Sequence, residues 1–284
     1  MKTLLLTIVG VLLCGSLGAE TKTIRDLVYA KVGDRELKLD LTRSSEFSGP
    51  LPCIVTVHGG GWLGGSRKSW EPIANDLAST GFVVANIEYR LAGEAKFPGA
   101  VLDCKAAIRW LRANAGKYGI NPEKISGVGG SAGGHLIGMA ATTVGNPDFQ
   151  SKENHPEESD ALSSIVIMGS GVDQVTRVLE TKAKSIANCV IFFGAEYHEN
   201  PEIYRQASPI THLSKSTPPI LMLDGEKDKP GERYVDFRKK LDEFGVKNEF
   251  VMIPGAAHGE WANAKYRRAF VDAMVAFIRS SSPE

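Results

Sequence analysis

The sequence feature that most constrains the fold is a G-x-S-x-G pentapeptide centred on Ser131. The apolar segment Ile125–Val128 precedes it, and a helical pattern from about residue 132 to residue 144 follows it. A serine at a sharp turn between a strand and a helix is typical of a nucleophile elbow, in which the serine has a strained backbone and an exposed hydroxyl. Gly129 and Gly133 suit this turn because side chains there would collide with the neighbouring strand and helix. Backbone amides at the start of the helix would favour negative charge beside Ser131.

The rest of the chain shows alternating strand and helix patterns. Residues 24–43 alternate between apolar and charged side chains around Gly33-Asp34, which predicts an antiparallel hairpin. Cys53–Val57 is a continuous β-branched run, typical of a strand that is covered on both faces in a mostly parallel sheet. The later elements predicted are helix Trp70–Thr80, strand Phe82–Tyr89, helix Pro98–Lys117, strand Ile125–Val128, a helix from Ala132, strands Ser164–Met168 and Ile220–Leu223, helix Glu232–Phe244, strand Glu249–Ile253 and helix Trp261–Ser280. This order predicts an α/β fold with a doubly wound, mostly parallel sheet and an antiparallel N-terminal hairpin.

Two stretches interrupt this alternation. Residues 145–160 are polar and acidic and are expected to form a loop just after the helix that follows Ser131. Residues 171–215 have weaker helical signals and are expected to form a small insertion over the sheet. Both are candidates for the rim of a substrate pocket. For residues 145–160, an ordinary solvated surface loop is an equally good interpretation.

The first nineteen residues are expected not to belong to the fold. Lys2 precedes an apolar run and a set of small residues, the pattern of a secretory signal peptide with cleavage after Gly18 or Ala19. We therefore expect a signal peptide at 1–19, one folded domain at 20–284, and a secreted or periplasmic protein with no membrane partner after cleavage. A lipid on Cys14 is the less favoured alternative because Leu13 is bulky for such a site. The 284 residues have a formal net charge of +0, so charge gives no reason to expect a nucleic-acid partner.

Three cysteines remain after the expected cleavage, namely Cys53, Cys104 and Cys189. The odd number leaves at least one free thiol. Cys53 begins a strand and Cys104 lies on an apolar helix face, so we expect buried small hydrophobic residues rather than a disulfide. No spacing of cysteine and histidine resembles a zinc site, so we expect no metal.

A second glycine-rich segment, His58-Gly59-Gly60-Gly61-Trp62, directly follows the buried strand Cys53–Val57. Consecutive glycines allow backbone amides to approach an oxyanion without obstruction by side chains. The HGGG sequence is a known form of the oxyanion loop of esterases, and the expected donors are the amides of Gly60, Gly61 and Ala132. A phosphate-binding loop is the alternative, but the run lacks a Walker lysine and a G-x-G-x-x-G pattern.

A serine nucleophile needs a base and an acid. His258 lies between the last predicted strand and the last helix, which places it at the same sheet edge as Ser131. His135, one turn after Ser131, is expected to be a packed or surface side chain. Asp228 follows strand Ile220–Leu223 at a distance that lets it reach His258, and Asp224 at the strand end is the alternative, expected to hydrogen-bond the turn.

Together these motifs resemble the hormone-sensitive-lipase-like esterases of the α/β-hydrolase superfamily, and among them the BD-FAE type, which is similar to acetyl-xylan and feruloyl esterases. The resemblance covers Pro50 to the C-terminus and includes the blocks Tyr89–Ala92, Phe97–Ala100, Trp110–Arg112, Asn200–Pro209 and Pro218–Ile220. It implies the triad Ser131, Asp228 and His258 and no cofactor. The chain departs from the family near the acid, with Asp224-Gly225 where His-Gly is usual and Lys229-Pro230 where Val-Pro is common.

The sequence thus predicts a secreted serine carboxylesterase that acts on small esters or esterified carbohydrates. The resemblance implies a short acyl group, acetyl or feruloyl, carried by a polysaccharide. Trp62, Trp70 and Trp261 are candidates for sugar stacking, although packed core or rim positions are the more common role of such residues. The alternatives are a peptidase of the prolyl-oligopeptidase type, which has the same triad order, and a non-catalytic binding protein on a hydrolase fold.

Overall fold

The structure is a computed structural model that describes residues 20–151, 154–180, 185–228 and 232–281. The signal peptide expected over residues 1–19 lies outside the described residues. The strands form one sheet and are β1 (Thr21–Val32), β2 (Arg35–Ser44), β3 (Leu51–Val57), β4 (Val83–Ile87), β5 (Ile120–Gly130), β6 (Ile165–Met168), β7 (Ile220–Gly225) and β8 (Asn248–Ile253).

The sheet is mostly parallel. Its strand order is β1-β2-β4-β3-β5-β6-β7-β8, and only the pairs β1–β2 and β2–β4 are antiparallel among the described strands. The hairpin β1–β2 turns at Gly33-Asp34, as the sequence predicts. The predicted fold class, an α/β fold with a doubly wound sheet and an antiparallel start, is therefore confirmed.

Helices cover both faces of the sheet. They are α1 (Glu71–Ala78), α2 (Gly99–Ala113), α3 (Ala115–Tyr118), α4 (Ala132–Thr142), α5 (Gln174–Glu180), α6 (Ser185–Phe193), α7 (Pro201–Gln206), α8 (Val235–Glu243) and α9 (Arg267–Ser281). The short helices α5 to α7 form the insertion expected over residues 171–215. No helix in the described part of the chain is long and apolar enough to cross a bilayer.

The structure differs from the predicted elements at several ends and at one break inside a predicted helix. The helix predicted over Pro98–Lys117 is interrupted at Asn114, whose φ of −104° and ψ of 12° leave the helical range and whose side-chain amide donates to the carbonyl of Trp110. The last helix begins at Arg267 rather than Trp261, because Glu260–Ala262 form a 3-10 turn. Similarly, α8 begins at Val235 after a 3-10 turn.

Alternate residues of the central strands enter two separate apolar cores. In β3, Val55 and Val57 pack in the core that contains residues of α2 and α4, whereas Ile54 packs in the core that contains residues of α1 and α9. Burial on both faces explains why this strand has no polar alternation in its sequence. Cys53, Cys104 and Cys189 are buried free cysteines, and burial was the expectation for Cys53 and Cys104.

The parallel strands all end at one edge of the sheet. The segments that follow them contribute His58 after β3, Ser131 after β5, Gly169 after β6, Asp228 after β7 and His258 after β8. Residues far apart in the sequence therefore meet at the carboxyl edge, where open α/β sheets bind ligands.

Candidate active site

Ser131 occupies the turn between β5 and α4 in a strained conformation. Its φ of 53° and ψ of −120° lie in a region that residues other than glycine rarely adopt. A Cβ atom on Gly133 would lie 2.0 Å from the carbonyl oxygen of Val57, and one on Gly129 would lie 2.3 Å from the carbonyl oxygen of Gly133. The predicted steric requirement for both glycines is confirmed, because either side chain would collide with backbone.

A hydrogen-bonded chain joins Ser131, His258 and Asp228. The distance from Ser131 Oγ to His258 Nε2 is 3.1 Å, and the distance from His258 Nδ1 to Asp228 Oδ2 is 2.8 Å. The hydroxyl donates to Nε2 when Nδ1–H donates to the carboxylate, which fixes the imidazole tautomer. The structure thus brings together the three residues that the sequence selected as nucleophile, base and acid.

Arg233 forms an ion pair with Asp228 and was missed by the sequence analysis. Its Nη2 lies 3.0 Å from Asp228 Oδ1, the carboxylate oxygen that His258 does not use. Burial opposes ionisation of Asp228, but the hydrogen bond from His258 and the positive charge of Arg233 outweigh it and lower the pKa of Asp228. The signal available in the sequence was a cation five residues after Asp228.

Asp224, the alternative candidate for the acid, makes different contacts from Asp228. Its Oδ1 accepts hydrogen bonds from the amide of Gly169 at 2.7 Å and from the hydroxyl of Tyr234 at 3.1 Å. Burial raises its pKa. The expectation that Asp224 hydrogen-bonds a turn is met, although the turn belongs to the end of β6 rather than to its own strand.

Gly169 lies against the pair formed by His258 and Asp228. Its φ is +55°, and a Cβ atom there would lie 2.6 Å from Asp228 Oδ2 and 2.9 Å from His258 Nδ1. A side chain at this position would therefore disturb the hydrogen bond between them. The sequence analysis missed Gly169 because its proximity to residues 228 and 258 arises only from the sheet topology.

The glycine-rich segment after β3 runs beside the elbow. A Cβ atom on Gly59 would lie 2.9 Å from the carbonyl oxygen of Gly130 and 3.2 Å from Ser131 Cβ. Gly60 and Gly61 have φ values of +124° and +60°. Among the hydrogen bonds of the described residues, none uses the amide of Gly60 or Gly61 as donor. These amides are therefore free to bind an oxyanion formed next to Ser131.

His135 and Trp62 form a buried pair behind this loop. Trp62 Nε1 donates to His135 Nδ1 at 3.2 Å, and His135 Nε2 donates to the carbonyl of Ala207 at 2.7 Å. Of the two expectations for His135, a packed or a surface side chain, the structure shows the packed one. Trp62, Trp70 and Trp261 are 1%, 2% and 7% exposed, so they belong to the core and offer no free face for sugar stacking.

A cavity of about 660 Å³ opens beside Ser131 and His258. Its lining includes charged residues from the 171–215 insertion and from the region around α8, namely Asp173, Arg177, Glu180, Glu232, Arg233 and Asp236. The insertion therefore lies at the rim, as expected. No described residue of 145–160 lines the cavity. That stretch is held elsewhere, because Asp160 pairs with Lys105 of α2 at 3.2 Å.

This combination of sheet, elbow serine and loops after the last two strands defines the α/β-hydrolase fold. The chain belongs to the BD-FAE family, whose model matches residues 39–241. It is 33% identical over 230 residues to the esterase LipC of Mycobacterium tuberculosis, an alignment that covers 78% of this chain and 56% of LipC. The chain spans about half the length of the curated relatives that it matches.

Two solved structures resemble the whole domain. A truncated carbohydrate esterase from gut microbiota has a TM-score of 0.77 at 26% identity, with 91% of this chain and 96% of that chain covered. The propionate-bound esterase Est2 of the planctomycete Thermogutta terrifontis has a TM-score of 0.74 at 28% identity, with 94% and 97% covered. Est2 also matches in a butyrate-bound form and in a form phosphorylated by paraoxon.

Proposed function

We propose that this protein is a serine carboxylesterase that uses Ser131, His258 and Asp228 to hydrolyse short-acyl esters. The observation that carries the proposal is the hydrogen-bonded chain of these residues beside the amides of Gly60 and Gly61. A nucleophile, a base, an oriented carboxylate and oxyanion donors are the complete set of groups that acyl transfer requires. A protein that only bound its ligand would not need this set.

In the proposed reaction, Ser131 Oγ attacks the ester carbonyl carbon while His258 Nε2 accepts the hydroxyl proton. The carbonyl oxygen becomes an oxyanion that the amides of Gly60, Gly61 and Ala132 stabilise. When the C–O bond to the alcohol breaks, His258 donates its proton to the leaving oxygen, and an acyl-enzyme remains on Ser131. A water molecule, deprotonated by His258, then hydrolyses this intermediate. Asp228 holds the imidazole and stabilises its positive charge throughout.

We propose that the substrate is a short-acyl ester of a polysaccharide, with acetyl or feruloyl as the acyl group. The largely charged lining of the cavity suits a hydroxyl-rich alcohol better than an alkyl chain. The similarity to a carbohydrate esterase, and to an esterase that binds propionate and butyrate, supports both parts of this proposal. The chemistry proposed here is complete with protein groups and water.

The test is to measure initial rates on 4-nitrophenyl acetate, butyrate and octanoate for the wild type and for Ser131→Ala. We expect rates that fall with chain length and a loss of roughly 10⁴-fold or more in kcat for the variant. A fluorophosphonate probe should label the wild type and leave Ser131→Ala unlabelled. Labelling of the wild type without turnover of any ester would favour a peptidase, and no labelling would favour a binding protein. Acetylated xylan and feruloyl esters would then distinguish the two acyl groups.

A further inference from the structure

The cavity beside Ser131 contains two arginines in different electrostatic states. Arg233 lies between two carboxylates, 3.0 Å from Asp228 Oδ1 and 3.5 Å from Asp224 Oδ2, so its charge is compensated. Arg177 lines the same cavity from α5 and is half-buried. None of the ion pairs among the described residues includes Arg177.

The guanidinium of Arg177 is held in place by packing rather than by a carboxylate. Its Cζ atom lies 5.3 Å from the ring centroid of Trp62, the residue that follows the oxyanion glycines. A Cβ atom on Gly171 would lie 3.2 Å from Arg177 Cδ and 3.3 Å from Nη1, so the arginine passes close to the chain just after β6. Contact with a buried aromatic ring fixes a guanidinium without consuming its hydrogen-bond donors.

Among the described residues, none of the nearby carboxylates forms an ion pair with Arg177. Asp173 Oδ1 accepts bonds from the amides of Val175 and Thr176, and its Oδ2 accepts from the hydroxyl of Thr176, so both oxygens serve the start of α5. Asp228 is paired with Arg233 and His258. The remaining lining carboxylates, Glu180, Glu232 and Asp236, belong to exposed residues, where water and salt screen their charges. A half-buried guanidinium with free donors is stabilised by an acceptor that arrives with the ligand.

We propose that Arg177 forms a carboxylate-binding subsite and that the preferred substrates are esters that also contain a carboxylate. This proposal deepens the esterase function proposed above and rests on it. Ser131 and Arg177 line one cavity of about 660 Å³, the size of typical small-molecule sites, so one ligand can reach both groups. The planar fork of arginine binds the two oxygens of a carboxylate together, which gives orientation as well as affinity.

The carboxylate has two sources, and they are tested separately. For an acyl carboxylate, 4-nitrophenyl hemisuccinate is compared with 4-nitrophenyl butyrate. For an alcohol carboxylate, O-acetylated glucuronic acid is compared with O-acetylated glucose. Rates are measured for the wild type, Arg177→Gln and Arg177→Lys. The control is Arg268→Gln, which removes a positive charge from a side chain that is 81% exposed on α9.

We expect Arg177→Gln to lower kcat/KM for one of the charged esters roughly tenfold to a hundredfold, mainly through KM, because a charge-assisted hydrogen bond is lost. For the uncharged ester of the same pair, kcat/KM should change less than threefold. Arg177→Lys should recover part of the loss on the charged ester, and Arg268→Gln should have the same kcat/KM values as the wild type. Equal losses on charged and neutral esters would overturn the proposal, since they would mean that Arg177 only packs against Trp62. The proposal would also be overturned if, for both pairs of esters, the ratio of kcat/KM for the charged ester to kcat/KM for the uncharged one were the same in the wild type and in Arg177→Gln.

A binding measurement separates this proposal from the esterase proposal. Calorimetry with Ser131→Ala, and with Ser131→Ala combined with Arg177→Gln, measures the affinity for glucuronate, succinate and glucose without any turnover. Tighter binding of one of the acids than of glucose, lost in the double variant, supports the subsite even when no ester is hydrolysed. Turnover of neutral esters with no arginine-dependent preference for either acid supports the esterase and refutes the subsite.

Discussion

The hydrogen bond between His258 and Asp228 passes directly over Gly169, a residue with no functional group of its own. A methyl group at position 169 would lie 2.6 Å from the carboxylate oxygen and 2.9 Å from the ring nitrogen that share this bond. Distances below 3.0 Å cannot be tolerated, so one partner would have to move. The alignment of His258 therefore requires glycine at position 169, just as the turn at Ser131 requires glycine at positions 129 and 133.

We expect Gly169→Ala to lower kcat roughly a hundredfold or more, because small displacements of catalytic groups have effects of that size. Circular dichroism should still show a folded protein. The control is Gly145→Ala, where φ is +73° and a Cβ atom meets nothing within 4 Å. Like Gly169→Ala, this control places alanine at a positive φ, which lowers the free energy of unfolding by about 1 kcal/mol, but its methyl group collides with nothing. Equal kcat in both variants would contradict the proposed role of Gly169.

His135 links the stability of the protein to pH. Burial lowers its pKa from 6.5 to about 4, while both ring nitrogens are used in hydrogen bonds to Trp62 and Ala207. In the unfolded chain the residue accepts a proton near its ordinary pKa of about 6.5. The unfolded state therefore binds more protons between pH 6.5 and pH 4, and stability falls as the pH falls through this range.

We expect the free energy of unfolding to decrease by about 2–3 kcal/mol between pH 7 and pH 4.5 because of His135 alone. Urea unfolding at both pH values measures the total change, to which other groups also contribute. The same experiment on His135→Gln, which cannot be protonated, isolates the contribution of this residue as the difference between the two proteins. If both proteins lose the same stability, His135 is not the group responsible.

Among the secondary-structure elements, α2 is tied to the stretch 145–160 by buried charges. Lys105 Nζ lies 3.2 Å from Asp160 Oδ2 and donates to the carbonyl of Thr143 at 2.7 Å. Lys105 and Asp160 are 0% and 4% exposed. Burial lowers the pKa of Lys105, and the charge of Asp160 opposes this shift. The polar composition of residues 145–160 suggested a pocket rim, but Asp160 instead balances the positive charge of the buried Lys105.

We expect Asp160→Asn to lower the free energy of unfolding by roughly 3–5 kcal/mol, because it leaves a buried ammonium without its counter-charge. The kcat on 4-nitrophenyl acetate should stay close to that of the wild type, since Asp160 does not line the cavity. Asp272→Asn is the matched control, because it breaks an exposed pair with Arg268 and should cost less than about 1 kcal/mol. Equal decreases in the free energy of unfolding of the two variants would show that the buried pair contributes no more to stability than the exposed pair.

For the molecule as a whole, sequence patterns predicted the features that depend on neighbouring residues in the chain. The continuous β-branched run of β3, the glycines of the elbow and the loop after β3 each report a local steric or burial requirement, and the structure contains all three features. The sequence could not show that Gly169 touches residues 228 and 258, or that Arg177 contacts Trp62, because these contacts arise when separate strands end at one sheet edge. Parallel topology creates such contacts without any local pattern.

The first residues that the structure describes belong to the sheet. β1 begins at Thr21, which pairs with Ser44, and the carbonyl of Glu20 accepts a bond from the amide of Ser45 at 3.2 Å. Residues 20 and 21, which follow the expected cleavage site at Gly18 or Ala19, thus pair with the end of β2. Further along β1, Tyr29 is 2% exposed and its hydroxyl donates to the carbonyl of Glu88 at 2.7 Å, so this strand contributes to the core.

We therefore expect a chain that begins at Glu20 to match the full chain in melting temperature and kcat/KM. A chain that begins at Gly33 should be markedly less stable, because it lacks the antiparallel partner of β2 and the buried ring of Tyr29. Intact mass of the protein recovered outside the cytoplasm of an expressing bacterium tests the cleavage itself, with residue 19 or 20 as the expected first residue. A mass that includes residues 1–19 would refute cleavage, and a lipid on Cys14 would favour the lipoprotein alternative, since the chain would then be anchored by its first residues.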